Sequence, residues 1–240
     1  MTPGPAPSPS VERLANDLSG RDPSDPFAQE LLVWLADSAR FRSFAEAHRD
    51  KIRKKLRHTT DAEALRDVRA ELLTARLLLA DRRIELAFEA YGSGKGGPDF
   101  TITYRGTTTF NVEVTRLHRV PDPTRFGESL LAKLRQLPPS RPNVLVVAID
   151  GQTAEALDVA ATTRELRARA DAKDEAFFAR RGFEGTRGFY ELYLRLATVI
   201  VWCEGATGAM RAAMWRNGSA RIPLPDQAAR ACVAGLRGGA

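Results

Sequence analysis

The residues Asp99-Phe100-Thr101-Ile102-Thr103-Tyr104 and Thr108-Thr109-Phe110-Asn111-Val112-Glu113-Val114-Thr115, joined by Arg105-Gly106-Thr107, decide the fold of this chain. Both stretches carry β-branched and aromatic residues at the two-residue period of a strand with two unlike faces. Arg105-Gly106 supplies the turn between them. On the later strand, predicted over Thr108–Arg116, Phe110, Val112 and Val114 share one face, and Asn111, Glu113 and Thr115 share the other. Ile84 to Tyr91 alternates in the same way. It is read as a first strand, separated from Asp99 by the glycine-rich Gly92–Gly97, so that three strands form a meander.

The elements after the meander extend the sheet. A helix is predicted from about Gly127 to Leu137, with Leu130, Leu131, Leu134 and Leu137 apolar and Pro138-Pro139 stopping it. Asn143 to Asp150 is a continuous apolar run, the mark of a central strand covered on both faces. A helical stretch from about Thr153 to Phe178 follows, then a second buried strand, Leu196–Cys203. Upstream, Thr60 and Glu63 form a capping box for a helix reaching about Asp81, with Leu65, Val68, Leu72, Ala75 and Leu79 as its buried stripe. The expected class is α/β: a mixed central sheet flanked by helices on both faces, plus an N-terminal helical region. The expected organisation is a disordered arm at 1–10, a helical region at 11–58, an α/β core at 59–204 and a C-terminal extension at 205–240, ending in a short Ala/Arg helix.

With 240 residues and 43% hydrophobic content the chain can bury a sizeable core. Its 36 Lys+Arg against 30 Asp+Glu leave a net charge of +6, a modest bias toward anionic partners such as nucleic acid. The densest cationic stretch is Arg49-Asp50-Lys51-Ile52-Arg53-Lys54-Lys55-Leu56-Arg57-His58. Ile52 and Leu56 form its buried stripe, and Arg49, Lys51, Arg53, Lys54, Lys55 and Arg57 are candidates for phosphate contacts, with a solvated helix end as the plain alternative. Cys203 and Cys232 have no metal-ligand spacing and suggest no disulfide framework, so a reducing cytoplasm is expected. No apolar run is long enough to span a bilayer, and no membrane partner is expected. High Ala, Arg and Gly usage points by association to a bacterial source. The histidines His48, His58 and His118 are scattered, and surface positions are the simplest reading of them. The aromatic group around Phe177, Phe178, Phe183, Phe189, Tyr190 and Tyr193 is read as core or as a dimer contact ahead of base stacking.

Asp99 and Glu113 stand fourteen positions apart. If their strands pair, the two carboxylates converge, giving the hard oxygen ligands that a magnesium ion needs. Taken singly, each acid is more simply a solvated surface group. The glycine-rich segment has no GxxxxGK[ST] spacing, so a P-loop is set aside.

Glu71 on the helix before the meander, Pro98-Asp99 and then Glu113-Val114-Thr115, followed by a helix and an apolar strand, resemble the PD-(D/E)XK nuclease superfamily over about residues 60–150. The resemblance implies that Asp99 and Glu113 ligate Mg2+ or Mn2+, that the Val114 carbonyl adds a third oxygen, and that Glu71 joins directly or through water. It also implies a metal-dependent nuclease, with DNA as the expected substrate and a homodimer as one possible assembly. The family lysine, two residues after the second acid, is Thr115 here. Threonine can hydrogen-bond a water but brings no charge. Lys133 on the following helix is the best substitute, with Gln136 one turn on to help position water or substrate. Lys95 and Arg116 are weaker candidates, Arg116 because it faces away from Glu113. If no cation is supplied, the alternative is a catalytically inactive nuclease-like module that binds nucleic acid or a protein.

Overall fold

The computed structural model of the chain describes residues 7–59, 61–90, 97–118, 123–150, 157–205 and 207–238. They form two compact units, dividing between Ala80 and Asp81.

The first unit is helical: α1 (Pro9–Ser19), α2 (Pro26–Asp37), α3 (Ala39–Ala47), α4 (Arg49–Arg57) and α5 (Ala62–Leu79). Its cap chemistry explains where these helices start. The Asp25 carboxylate accepts from the N–H groups of Phe27 and Ala28, and the Ser38 hydroxyl accepts from Phe41 N–H. Phe27, Trp34, Phe41 and Phe44 form a chain of ring contacts with centroids 6.1–6.3 Å apart. Two expectations need correction. α1 begins at Pro9, inside the predicted arm, because proline is pre-organised for the first helical position. The cap of α5 is Asp61, whose carboxylate accepts from Ala64 N–H at 2.8 Å; Thr60 lies outside the described residues, and Glu63 pairs with Arg66 at 2.7 Å.

The second unit is the expected α/β architecture, built on a six-stranded mixed sheet in the order β1 (Ile84–Phe88), β2 (Phe100–Tyr104), β3 (Thr108–Leu117), β4 (Asn143–Asp150), β5 (Leu196–Glu204), β6 (Met210–Arg216). The meander β1-β2-β3 is antiparallel, β3-β4 and β4-β5 are parallel, and β5-β6 is antiparallel. The two parallel pairs need crossovers. α6 (Pro123–Leu134) supplies the first; α7 (Val159–Asp171), α8 (Glu175–Ala179) and α9 (Gly185–Tyr193) supply the second. β4 is buried from Asn143 through Ile149, as its apolar run requires.

One face of the sheet packs against these crossover helices. Leu145, Val147, Ile149, Val199, Val201 and Cys203 meet Leu130 and Leu134 of α6, Leu166 of α7 and Phe189 and Tyr193 of α9 in one buried cluster. Four of the predicted aromatic group, Phe178, Phe183, Phe189 and Tyr193, are core, with the Phe178 and Phe189 ring centroids 4.6 Å apart, while Phe177 and Tyr190 pack against that cluster partly buried. α10 (Asp226–Leu236) packs against β5 and β6, and its buried residues stand outside that cluster.

Several boundaries move. β1 ends at Phe88, where Glu89 takes a positive φ of 45°. β2 starts at Phe100, one residue after Asp99, and α6 runs Pro123–Leu134 rather than to Leu137. Of the single long helix expected over Thr153–Phe178, residues 153–156 lie outside the described residues, and the rest is divided into α7 and α8, because the chain turns at Ala172-Lys173-Asp174 with Lys173 at φ 57°. β6, in the stretch read as an extension, is a full member of the sheet. No helix among the described residues is long and apolar enough to cross a membrane.

Candidate functional site

The site lies where β2 begins. The β2-β3 register pairs Phe100 with Val112, and one further step along the hairpin sets Asp99 opposite Glu113. Residues opposed in this way point to the same face with β-carbons about 4.5–5.5 Å apart. Three backbone contacts hold Asp99 there. Its carbonyl accepts from Glu89 N–H at 2.7 Å, its Oδ2 accepts from Val114 N–H at 2.8 Å, and its own N–H is hydrogen-bonded to the Glu113 carboxylate. In a strand, the N–H and C=O of one residue project toward the same neighbour. The Val114 carbonyl accordingly points to the Asp99 side of β3, beyond the start of β2.

The same face carries Thr115 and Leu117, and the parallel register sets Glu113, Thr115 and Leu117 beside Leu145, Val147 and Ile149. α6 covers this face, and its amphipathic pattern explains how a lysine reaches the sheet. Leu130 and Leu134 enter the core, while Lys133 lies at the rim and donates from Nζ to Glu113 Oε1 at 2.5 Å. Gln136, in the turn after α6, accepts from the same ammonium at 3.5 Å. Thr115 is half-buried two residues along from Glu113.

Glu113 is 3% exposed. Burial raises its pKa, the charge of Asp99 raises it further, and the ammonium of Lys133 together with the Asp99 N–H pulls it back, leaving it at about 7. Its second oxygen, Oε2, is buried with no hydrogen-bond partner among the described residues. A buried carboxylate oxygen in that condition costs free energy unless something satisfies it. Among the described residues no group of three or more His, Cys, Asp or Glu is gathered for a metal. Of this unit's described residues, Glu113 Oε2, an Asp99 oxygen and the Val114 carbonyl could hold a divalent ion, with water completing its shell. That all-oxygen, water-rich set suits Mg2+ or Mn2+, which keep several waters in protein sites.

The second unit by itself thus assembles Asp99, Glu113, Val114, Lys133 and Gln136. Glu71 belongs to α5 of the helical unit, where its carboxylate pairs with Lys55 Nζ. Arg116 is on the opposite face of β3, buried and paired with Asp150 at 2.5 Å. Lys95 lies outside the described residues, and His118 is exposed just after β3.

The basic helix is less open than its sequence implies. Arg49 and Arg53 both bond Asp17, at 2.7 and 3.2 Å, and Lys55 bonds Glu71. Lys51 is half-buried, and Lys54 and Arg57 stay exposed. Half of the expected phosphate contacts are thereby drawn into ion pairs of the unit itself.

Sequence reasoning passed over Asn143. Its Oδ1 accepts from Asn111 Nδ2 at 3.0 Å, Asn111 in turn accepts from Thr101, and Asn143 Nδ2 reaches the carbonyls of Pro138, Arg141 and Arg195. This buried polar row spans β2, β3 and β4 two residues from Glu113 and ties the strands to the loops on either side. The available signal was a polar residue heading an otherwise apolar run. Comparison with protein-family models, curated proteins and solved structures finds no match for this chain.

Proposed function

We propose that the chain is a metal-dependent nuclease of the PD-(D/E)XK kind in which the catalytic cation is carried by α6 instead of β3. The observation that carries this reading is Lys133 on the buried carboxylate of Glu113, directly across from Asp99.

A bound Mg2+ or Mn2+ would lower the pKa of water and offset charge on the scissile phosphate. Asp99 and Glu113 would hold it, with Asp99 fixed in place by the Val114 N–H. Lys133 serves two ends. It favours the ionised form of Glu113 against burial, and it puts a positive charge beside the position where negative charge builds on the phosphodiester. Gln136 accepts from Lys133 and restrains the ammonium's direction. Thr115 offers a hydroxyl to water from the position the family gives to lysine. DNA is the substrate this reading expects. Both cysteines are buried and neither forms a disulfide among the described residues, in keeping with a reducing cytoplasm.

The test is incubation of the purified chain with plasmid DNA, single-stranded DNA and RNA in Mg2+, Mn2+ or EDTA. Metal-dependent cleavage is expected, with Asp99→Asn, Glu113→Gln and Lys133→Ala each losing about 100-fold or more. Cleavage of none of the substrates, or cleavage unchanged in Glu113→Gln, would overturn the reading.

A further inference from the structure

A second charged feature of the α/β unit lies on another side of α6. Glu128, Leu131, Ala132 and Arg135 of the α6 segment, with Arg180 and Arg181 of the turn after α8, line a cleft of about 380 Å3. Three guanidinium groups face one carboxylate there.

The arginines are positioned by the fold. Arg181 lies over the Phe177 ring at 3.8 Å, donates to the Phe177 carbonyl at 3.1 Å and stands 3.5 Å from Glu128. Arg180 donates from Nε to the Ala176 carbonyl at 3.2 Å, which leaves its two terminal nitrogens available to a ligand. Arg135 lies across Gly182. That residue has φ 77°, and a β-carbon there would come within 2.5 Å of the Arg135 Nη1. A side chain at 182 would push this guanidinium out of the cleft, so glycine serves both the turn and the arginine. Arg135 has no hydrogen-bond or ion-pair partner among the described residues. Clustered positive charge with a single compensating acid costs self-repulsion in the empty protein, and an anion relieves it. Guanidinium forks match the oxygen geometry of phosphate.

We infer that this cleft is a phosphate-binding site that grips a nucleic-acid backbone away from the Asp99–Glu113 pair. The choice of nucleic acid as ligand rests on the nuclease reading; the anion chemistry rests on the three arginines. Lys133, in the last turn of α6, reaches Glu113, while Arg135, in the turn that follows, lines the cleft, so this end of the helix would present one cation to the reacting phosphate and another to the flanking backbone.

The test is binding of labelled single-stranded and duplex DNA in EDTA, where no cleavage occurs, over a series of salt concentrations. The triple variant Arg135→Gln, Arg180→Gln, Arg181→Gln should bind about tenfold or more weakly. Its slope of log affinity against log salt should flatten by about 2 to 3. The double variant Arg135→Gln, Arg180→Gln keeps the Arg181–Phe177 stack and should flatten the slope by about 1.5; it decides the matter if the triple variant unfolds. Inorganic phosphate, matched for ionic strength with chloride, should compete with DNA on the wild type and lose that effect in the variants. Unchanged affinity and slope in a folded variant, or a wild type that binds no DNA, would overturn the cleft. DNA binding that depends on the arginines without any metal-dependent cleavage would sustain the cleft and sink the nuclease reading alone.

Discussion

Asp99 stands directly across the β2-β3 hairpin from Glu113, one step beyond the Phe100–Val112 pair, and its Oδ2 accepts the N–H of Val114. The two acids cannot move apart without breaking that contact and the Glu89–Asp99 bond at 2.7 Å. The Asp99 charge held this close adds to burial in raising the pKa of Glu113. Among the described residues, Lys133 is the cation paired with Glu113.

The midpoint of Glu113 is the first consequence. Burial and the Asp99 charge hold it at about 7, against the pull of Lys133. Asp99→Asn should lower that midpoint and Lys133→Met should raise it, both followed by carboxyl-carbon NMR of the labelled protein. Equal midpoints in all three proteins would show that the neighbours do not govern this group.

Stability should depend on pH through the same carboxyl. Its folded midpoint, about 7, lies above the ordinary 4.5, so between these values the folded state holds a proton that the unfolded state has released. Stability from this group is therefore full below about 4.5, falls as pH rises, and levels off above about 7. The total fall is on the order of 3 kcal/mol. Glu113→Gln should remove it, gaining on the wild type between pH 5 and pH 8 in urea unfolding. A constant difference between the two proteins across that range would contradict this.

Asn143 should matter more than its size suggests. Asn143→Ala strips the Asn111 amide and three backbone carbonyls of a buried partner. A loss of about 2–4 kcal/mol is expected from urea unfolding, because unsatisfied buried groups keep their desolvation cost. A loss below about 0.5 kcal/mol, the range of ordinary surface substitutions, would mean that the row is replaced by water at no cost.

How far the site was legible depends on how many residues carried each pattern. The alternation Phe110-Asn111-Val112-Glu113-Val114-Thr115 and the run Asn143–Asp150 were long enough to set strand type, and the meander then brought Asp99 to Glu113. Lys133 could be anticipated because Leu130 and Leu134 fix the buried side of α6, leaving it on the flank. β6 could not. Met210–Arg216 is a partly exposed edge strand of arginine, alanine and methionine, with little apolar contrast between its faces. α9 was hidden by Gly185 and Gly188, poor helix formers that its packing of Phe189 and Tyr193 overrides. The ion pairs that occupy Arg49, Arg53 and Lys55 join residues 16 to 36 positions apart, which no local pattern announces.

The thiols should be inert in the native protein. Burial pushes Cys232 up to about 12, with the charge of Asp81 adding to it, and Cys203 is fully buried in β5. Neither should be alkylated by iodoacetamide at pH 8 until the chain unfolds, as read by mass spectrometry. Rapid labelling of Cys232 before unfolding would show that α10 opens locally.

Titration of the purified chain with Mn2+, followed by electron paramagnetic resonance, tests most directly whether Asp99 and Glu113 share an ion. One bound Mn2+ per chain is predicted, with binding lost in both Asp99→Asn and Glu113→Gln while their folds stay intact. A wild type that binds no Mn2+, or binding that survives either substitution unchanged, would contradict the account.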